Sequence, residues 1–147
     1  MFRNILVPTD GSALSRKAVR QAVRLAKEQK ARVTGYYVGP SWKPGGNDDS
    51  IAYGSVSPQQ HAAMVEKTAK RILGAVRKEA ARAGVPCSCS FSTNDYPYVK
   101  IVEAAQRNRC DLIFMATHGR RGISRLLLGS ETSKVLAHSK VPVLVCR

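Results

Sequence analysis

Most of the chemistry legible in the chain lies in one stretch, Met115-Ala116-Thr117-His118-Gly119-Arg120-Arg121-Gly122-Ile123-Ser124-Arg125-Leu126-Leu127-Leu128-Gly129-Ser130-Glu131-Thr132. Gly119 and Gly122 let backbone approach a ligand with no side chain in between. Gly129-Ser130 then opens a helix. The unpaired N–H groups and positive dipole end of a helix start make an anion site, and phosphate is its usual occupant. The hydroxyls of Ser130 and Thr132 add donors. Taken alone, the same residues also fit a plain strand–loop–helix connection with a serine cap. A second group, Thr9-Asp10-Gly11-Ser12, offers short oxygen side chains that accept bonds from the first N–H groups of a helix. Asp10 could hold a metal or orient a water, but a carboxylate there more often caps the helix or binds a ribose hydroxyl.

Catalytic patterns are missing from the sequence. It has no G-x4-G-K-[ST] phosphate loop, no G-x-G-x-x-G and no G-x-S-x-G nucleophile elbow. His61, His118 and His138 are scattered. His118 lies in the ligand loop and could contact phosphate, but a loop-shaping or solvent-facing role is favoured. With no base–nucleophile pair, no residue is assigned as catalytic. Cysteines stand at 87, 89, 110 and 146, with no C-x-x-C and no His/Cys cluster at zinc spacing, so no metal site is assigned. All four are read as reduced: Cys110 and Cys146 as small core residues, Cys87 and Cys89 as strand residues on opposite faces, which disfavours a redox pair.

The elements that must carry these residues follow from periodicity. Residues 2–8 are a short apolar run ended by Pro8, which reads as a buried strand. Between Ser12 and Lys30, Leu14, Ala18, Ala22, Leu25 and Ala26 form one helical stripe. Val33–Val38 is a second strand, stopped by Gly39-Pro40. Residues 40–57 carry breakers and no period, which predicts a long mobile loop. Ser57-Pro58 starts a second helix with a stripe at Val65, Ala69, Ile72, Leu73, Val76 and Ala80, closed by Gly84. Residues 85–92 are a third strand, Tyr96–Arg107 a third helix with Val99, Val102 and Ala104 or Ala105 inward, and 112–116 a fourth strand. Gly129–His138 is a short helix and 141–145 a terminal strand. This alternation predicts an α/β fold, an open doubly wound parallel sheet of five strands with helices on both faces. Ligands of such sheets bind outside the carboxyl ends of the strands. Residues 8–12, Val38 with the long loop, and 116–130 should meet there.

Composition bounds the function. The 147 residues are 44% hydrophobic and 23% charged, which suits one globular domain. No run of about 18 apolar residues is present, so no membrane partner is expected. The N-terminus lacks a signal-peptide layout, so a cytoplasmic protein beginning at Met1 is expected. The net charge of +14 favours anionic partners without naming one. Arg16, Lys17, Arg20, Arg24, Lys27 and Lys30 crowd the first helix against Glu28. No interleaved aromatics and no DNA-reading motif accompany them, so nucleic acid is disfavoured and a solvated face preferred.

Three ordered motifs make the chain resemble the universal stress protein family over its whole length. Ala116-x2-Gly119-x9-Gly129-Ser130 matches the family's G-x2-G-x9-G-[ST] nucleotide pattern, Val7-Pro8-Thr9-Asp10-Gly11-Ser12 its opening turn, and Pro142-Val143-Leu144-Val145 its last strand. The resemblance implies a Rossmann-like, adenine nucleotide alpha hydrolase-like fold. It also implies a sensor or switch that binds ATP, or ADP or AMP, with Mg as an allowed companion and at most slow hydrolysis. Pro8, Thr9 and Asp10 would line the adenine and ribose pocket, and Val38 would pack on the purine. Met115, Ala116 and Gly119 would hold the ribose and approach the phosphates. Gly129, Ser130, Glu131 and Thr132 would bind phosphate oxygens, with His118 and Arg120 close by and Arg121 and Arg125 adding charge.

Two departures stand out. Ala116 adds a methyl where the pattern has glycine, and the Glu131 carboxylate opposes phosphate unless it points away or joins a metal. Trp42 and Tyr53 fit a lid over adenine and an incidental place on a loop equally well. The resemblance also implies a homodimer, and the terminal strand with Val141, Val143 and Val145 is an edge that a second copy could cover. A dimeric module without nucleotide and a basic nucleic-acid-associated protein are the rival readings.

Overall fold

A computed structural model of the chain describes residues 1–44, 56–119 and 128–147. The elements run β1 (Asn4–Pro8), α1 (Ala13–Gln29), β2 (Arg32–Gly39), α2 (Pro58–Ala83), β3 (Cys87–Thr93), α3 (Pro97–Arg107), β4 (Leu112–Ala116), α4 (Ser130–His138) and β5 (Val143–Cys146). The five strands form one sheet in the order β3-β2-β1-β4-β5, and every neighbouring pair is parallel. The doubly wound α/β sheet expected from the alternation is the observed one. Strand order reverses between β1 and β4, so the segments after those two strands leave on either side of a crevice.

Local chemistry explains where the helices begin and end. Ser12 caps α1 by accepting from Ser15 N at 3.2 Å. Ser57 and Gln60 form a reciprocal capping box on α2, with Pro58 in its first turn. Gly84 ends α2 at φ +69°, a left-handed conformation that costs glycine no Cβ clash. The Asp111 carboxylate receives the N–H groups of Arg3 and Asn4 at 2.9 and 3.0 Å, fastening the chain start to the approach of β4.

The core has two halves, one on each face of the sheet. Ile5, Val7, Val33, Leu112 and Phe114 meet α1 and α2 residues such as Ala18, Val23, Val76 and Ala80. Leu6, Tyr36, Ile113 and Met115 meet Ile101, Ala104, Ala105 and Val135 of α3 and α4. Both faces of β1 and β4 are covered, which is why they read as unbroken apolar runs.

Three expectations need correction. The buried stripe of α3 is Ile101, Ala104 and Ala105, while Val99 and Val102 are half-buried. A helix stripe is set by the neighbours it meets, and α3 turns its Ile101 edge to the sheet. Cys87 and Cys89 share a face, because residues two apart in a strand return to the same side, and their sulfurs lie 3.7 Å apart. Cys146 is half-buried rather than fully in the core. Of the segment expected to be a mobile loop, residues 45–55 lie outside the described ones, as do Arg120, Arg121 and Arg125.

Candidate functional site

A cavity of about 830 Å³ opens at the carboxyl edge of the sheet. Pro8, Thr9 and Asp10 approach from β1, Tyr36 to Gly39 from β2, and Met115, Ala116, His118 and Gly119 from β4. Ser130, Glu131 and Thr132 enter from the start of α4. The segment after β3 adds Asn94, Asp95 and Pro97, and the residues after β2 add Pro40, Ser41 and Lys43. Eleven of the thirteen candidate residues line this cavity. The exceptions are Gly129, which is not in the lining, and Arg120, which lies outside the described residues. Sequence reasoning missed Tyr36, Asn94, Asp95 and Lys43. The signal was available, because a parallel sheet brings the carboxyl end of β3 to the same edge as the others.

The turn after β1 is held from within. Thr9 donates its backbone N–H to the Tyr36 carbonyl at 2.9 Å and its hydroxyl to Ser15 Oγ at 3.0 Å. Asp10 Oδ1 accepts from Ser12 N at 2.9 Å, and Gly11 completes the turn at φ +77°. The cavity floor is apolar: Tyr36, Val38, Ile101 and Met115 belong to the core half under α3 and α4. Tyr36 is buried, and its hydroxyl pairs with Ser92 Oγ at 2.7 Å. Ala116 belongs to the opposite core half, with Leu112 and Phe114. Its methyl therefore packs toward α1, not across the floor, and the departure from glycine adds little where a ligand would lie.

The start of α4 is built with more care than a serine cap requires. The Gly129 N–H donates to the Thr117 carbonyl at 2.8 Å. The buried Thr132 hydroxyl lies within bonding distance of the Ala116 and Thr117 carbonyls, at 3.0 and 3.2 Å. That hydroxyl is committed to joining β4 to α4, so only the backbone N–H of Thr132 is left to face a ligand. The first bond within the helix runs from Ser133 N to Gly129 O, which places the N–H groups of Ser130, Glu131 and Thr132 ahead of the ladder. A Cβ on Gly129 would stand 2.8 Å from the Thr117 carbonyl oxygen. A Cβ on Gly119 would stand 2.6 Å from Asp10 Oδ2, so that glycine faces the β1 turn across the site.

Glu131 points away from the helix axis toward α3. One carboxylate oxygen accepts from Tyr98 N at 2.9 Å and the other from Lys134 Nζ at 3.1 Å. α3 has no side-chain cap of its own, so Glu131 satisfies its first turn from a neighbouring helix. The other lining carboxylates are engaged as well: Asp95 with Lys43 at 3.4 Å, and Asp10 with Ser12 N. Among the described residues, no carboxylate of the lining is left to repel an anion without a local donor. His118 Nδ1 is 3.0 Å from Thr117 Oγ1, a buried hydroxyl outside the lining. That pairing shapes the loop and makes no nucleophile facing the cavity. No group of three or more His, Cys, Asp or Glu that could hold a metal occurs among the described residues.

Trp42, placed in a lid or an incidental loop by its sequence, is half-exposed and donates Nε1–H to the Val56 carbonyl at 2.9 Å. It is not part of the lining, and Tyr53 lies outside the described residues. The basic residues of α1 are exposed to solvent, with Arg24 paired to Glu28 at 3.2 Å. No helix among the described residues is long and apolar enough to cross a membrane.

The family model described as universal stress protein family matches residues 1–147. The chain is 33% identical to universal stress protein YxiE of Bacillus subtilis, with full coverage of both chains. Among solved structures, it matches MJ0577 of Methanocaldococcus jannaschii with a TM-score of 0.81 at 25% identity, covering 99% of this chain and 95% of that one. A universal stress protein in complex with cAMP matches at a TM-score of 0.69 and 22% identity, covering 99% of this chain and 97% of that one. One from Archaeoglobus fulgidus in complex with dAMP matches at 0.64 and 19%, covering 99% and 98%.

Proposed function

The chain belongs to the universal stress protein family, and from that premise we propose that it binds an adenine nucleotide in the cavity at the sheet edge and acts as a nucleotide-responsive switch. The observation that carries this reading is the convergence of the turn after β1, the end of β2, the end of β4 and the start of α4 on one cavity of about 830 Å³. That volume falls within the range of about 300–1,000 Å³ typical of small-molecule sites. The apolar floor of Tyr36, Val38, Ile101 and Met115 suits a purine. Thr9 and Asp10 at the β1 turn would lie beside the ribose, and the N–H groups opening α4 suit phosphate. Relatives of the same fold held in complex with cAMP and dAMP support the class of ligand. ATP, ADP and AMP are the candidates here. Mg would come only as a companion of the polyphosphates, and no catalytic role is proposed for any residue.

The same reading includes a homodimer through β5. Ile113 N donates to Pro142 O and Thr117 N to Cys146 O, so the even-numbered residues of this strand face β4. Backbone groups alternate in direction along a strand, which leaves the N–H and C=O of Val143 and Val145 toward the outer edge. The side chains of Val141, Val143 and Val145 pack on the protomer's own core. The pairing would therefore run through backbone and the half-exposed Leu144.

Thermal-shift titration tests the nucleotide reading. A ligand at 100 times its Kd stabilises by about 2.7 kcal/mol, which raises Tm by roughly 5–10 °C for a chain of this size. ATP, ADP or AMP should produce that shift in the parent. Gly119→Ala should weaken it by pushing the Asp10 carboxylate into the site. If none of the three moves Tm at millimolar concentration, the nucleotide reading fails and the dimeric partner-binding module takes its place. A shift with single-stranded DNA alone would favour the nucleic-acid reading.

A further inference from the structure

Away from the cavity, β3 carries a pair of thiols that the nucleotide reading does not use. Cys87 and Cys89 project to the α2 side with their sulfurs 3.7 Å apart, and both are half-buried and free. Among the described residues β3 pairs only with β2, so the thiols sit on an edge strand. Cys89 lies over Gly35 of β2, its register partner, where a Cβ would stand 2.9 Å from the sulfur. Glycine there makes the room that Cys89 occupies beneath Val76 of α2.

We propose that Cys87 is a site of thiol–disulfide exchange with low-molecular-weight disulfides, and that Cys89 is its resolving thiol. The Cys87 thiolate attacks one sulfur of R–S–S–R. A Cys87–S–S–R bond forms, the reagent's S–S bond breaks, and R–S⁻ leaves with the electron pair. Cys89 gives up its proton to solvent or to the departing thiolate and attacks Cys87 Sγ. The Cys87–Cys89 bond forms and the second R–S⁻ leaves. The two cysteines are oxidised by two electrons, and the reagent is reduced to two thiols.

The surroundings favour this order of events. Pairing with the Cys89 thiol lowers the Cys87 pKa, against the effect of burial and with help from the charges of Arg77 and Arg32. The same pairing and burial push Cys89 up, so it stays protonated until its partner is modified. Burial also raises Cys110, to about 11. At pH 7 the lowered Cys87 thiol carries more thiolate than an ordinary cysteine and far more than the raised Cys110, and this outweighs the lower nucleophilicity of a more acidic thiolate, so Cys87 should react first. The resulting disulfide is strained. Cα atoms two apart in a strand are about 6.6 Å apart, near the upper limit for a disulfide. Closing it must bend the edge strand, which makes the bond easy to reduce again.

Oxidised glutathione is the probe, applied to the full chain at pH 7 and followed by intact mass and peptide mapping. The parent should be modified first at Cys87, well ahead of Cys110, and should then lose the glutathione and end two hydrogens lighter. Cys89→Ser should stop at a stable single adduct on Cys87, and Cys87→Ser should lose the rapid phase. First modification at Cys110 or Cys146, or a parent adduct as stable as that of Cys89→Ser, would overturn the proposal. The mapping of the parent decides the first step even if a variant fails to fold. None of these readouts depends on nucleotide, so the outcome is independent of the cavity.

Discussion

Replacing Gly129 with alanine should destabilise the fold before it affects any ligand. The backbone at this position has φ −59° and ψ 148°, which an L residue adopts without strain. The obstacle is proximity: the added Cβ would meet the Thr117 carbonyl oxygen at 2.8 Å and His118 Cα at 3.4 Å. Both are backbone atoms, so no side chain can swing aside. Relief requires α4 to move by roughly half an ångström from the end of β4, an overpacking penalty of about 1–3 kcal/mol. The same movement stretches the Gly129–Thr117 bond of 2.8 Å and the two contacts of the Thr132 hydroxyl. For a chain of 147 residues, the fall in Tm should be roughly 3–10 °C. Gly119→Ala is the matched control. Its Cβ meets the tip of the Asp10 side chain, which can rotate, so its Tm should fall by less. Thermal unfolding by circular dichroism at one concentration compares the two. A Gly129→Ala protein that melts within a degree of the parent would refute the role assigned to this close approach.

Glu131→Gln should cost about 1 kcal/mol, because it removes the charge that serves the first turn of α3 and pairs with Lys134, and chemical denaturation should show it as a lower midpoint with unchanged slope. Nucleotide affinity, by contrast, should stay equal or rise. A large loss of affinity in the folded variant would mean that the carboxylate serves the ligand. Val143→Pro should convert a dimer to a monomer in light scattering while leaving the pairing with β4 intact, since the even-numbered residues of β5 face that strand. A dimer that survives this change places the interface elsewhere.

Much of this molecule could be read in advance because its information is local. Apolar runs ended by proline or glycine, the Ser57-Pro58 start and the Gly84 stop all act within one turn of chain, and the elements follow the order periodicity gives, with ends such as those of β3 and β5 shifted by a residue or two. The site segments were legible for a related reason, because a parallel sheet delivers every strand's carboxyl end to one edge. What escaped is non-local. Glu131 caps a helix whose first turn lies 33 residues earlier in sequence. Gly129 is glycine because a carbonyl twelve positions back passes under it. The methyl of Ala116 faces the core instead of the site because the strand's alternation, not its place in a motif, aims it. The cysteine pair was misread for a simpler reason: two steps along a strand restore the same face.

The sheet order also sets a timetable for a chain made from its N-terminus. β1, β2 and β3 are neighbours in sequence order and in space, so that half can assemble as soon as β3 is made. The opposite edge of β1 waits for β4, more than a hundred residues after β1 begins. Ile5, Leu6 and Val7 are wholly buried in the finished protein, yet during that interval they flank an open edge. An apolar strand with unpaired backbone can recruit the same strand from a neighbouring ribosome. The Asp111 carboxylate, one residue ahead of β4, takes hold of the backbone at Arg3 and Asn4 as β4 docks. It would act as a latch at the moment the open edge of β1 is closed, so the yield of Asp111→Ala from a cell should fall further than its equilibrium stability.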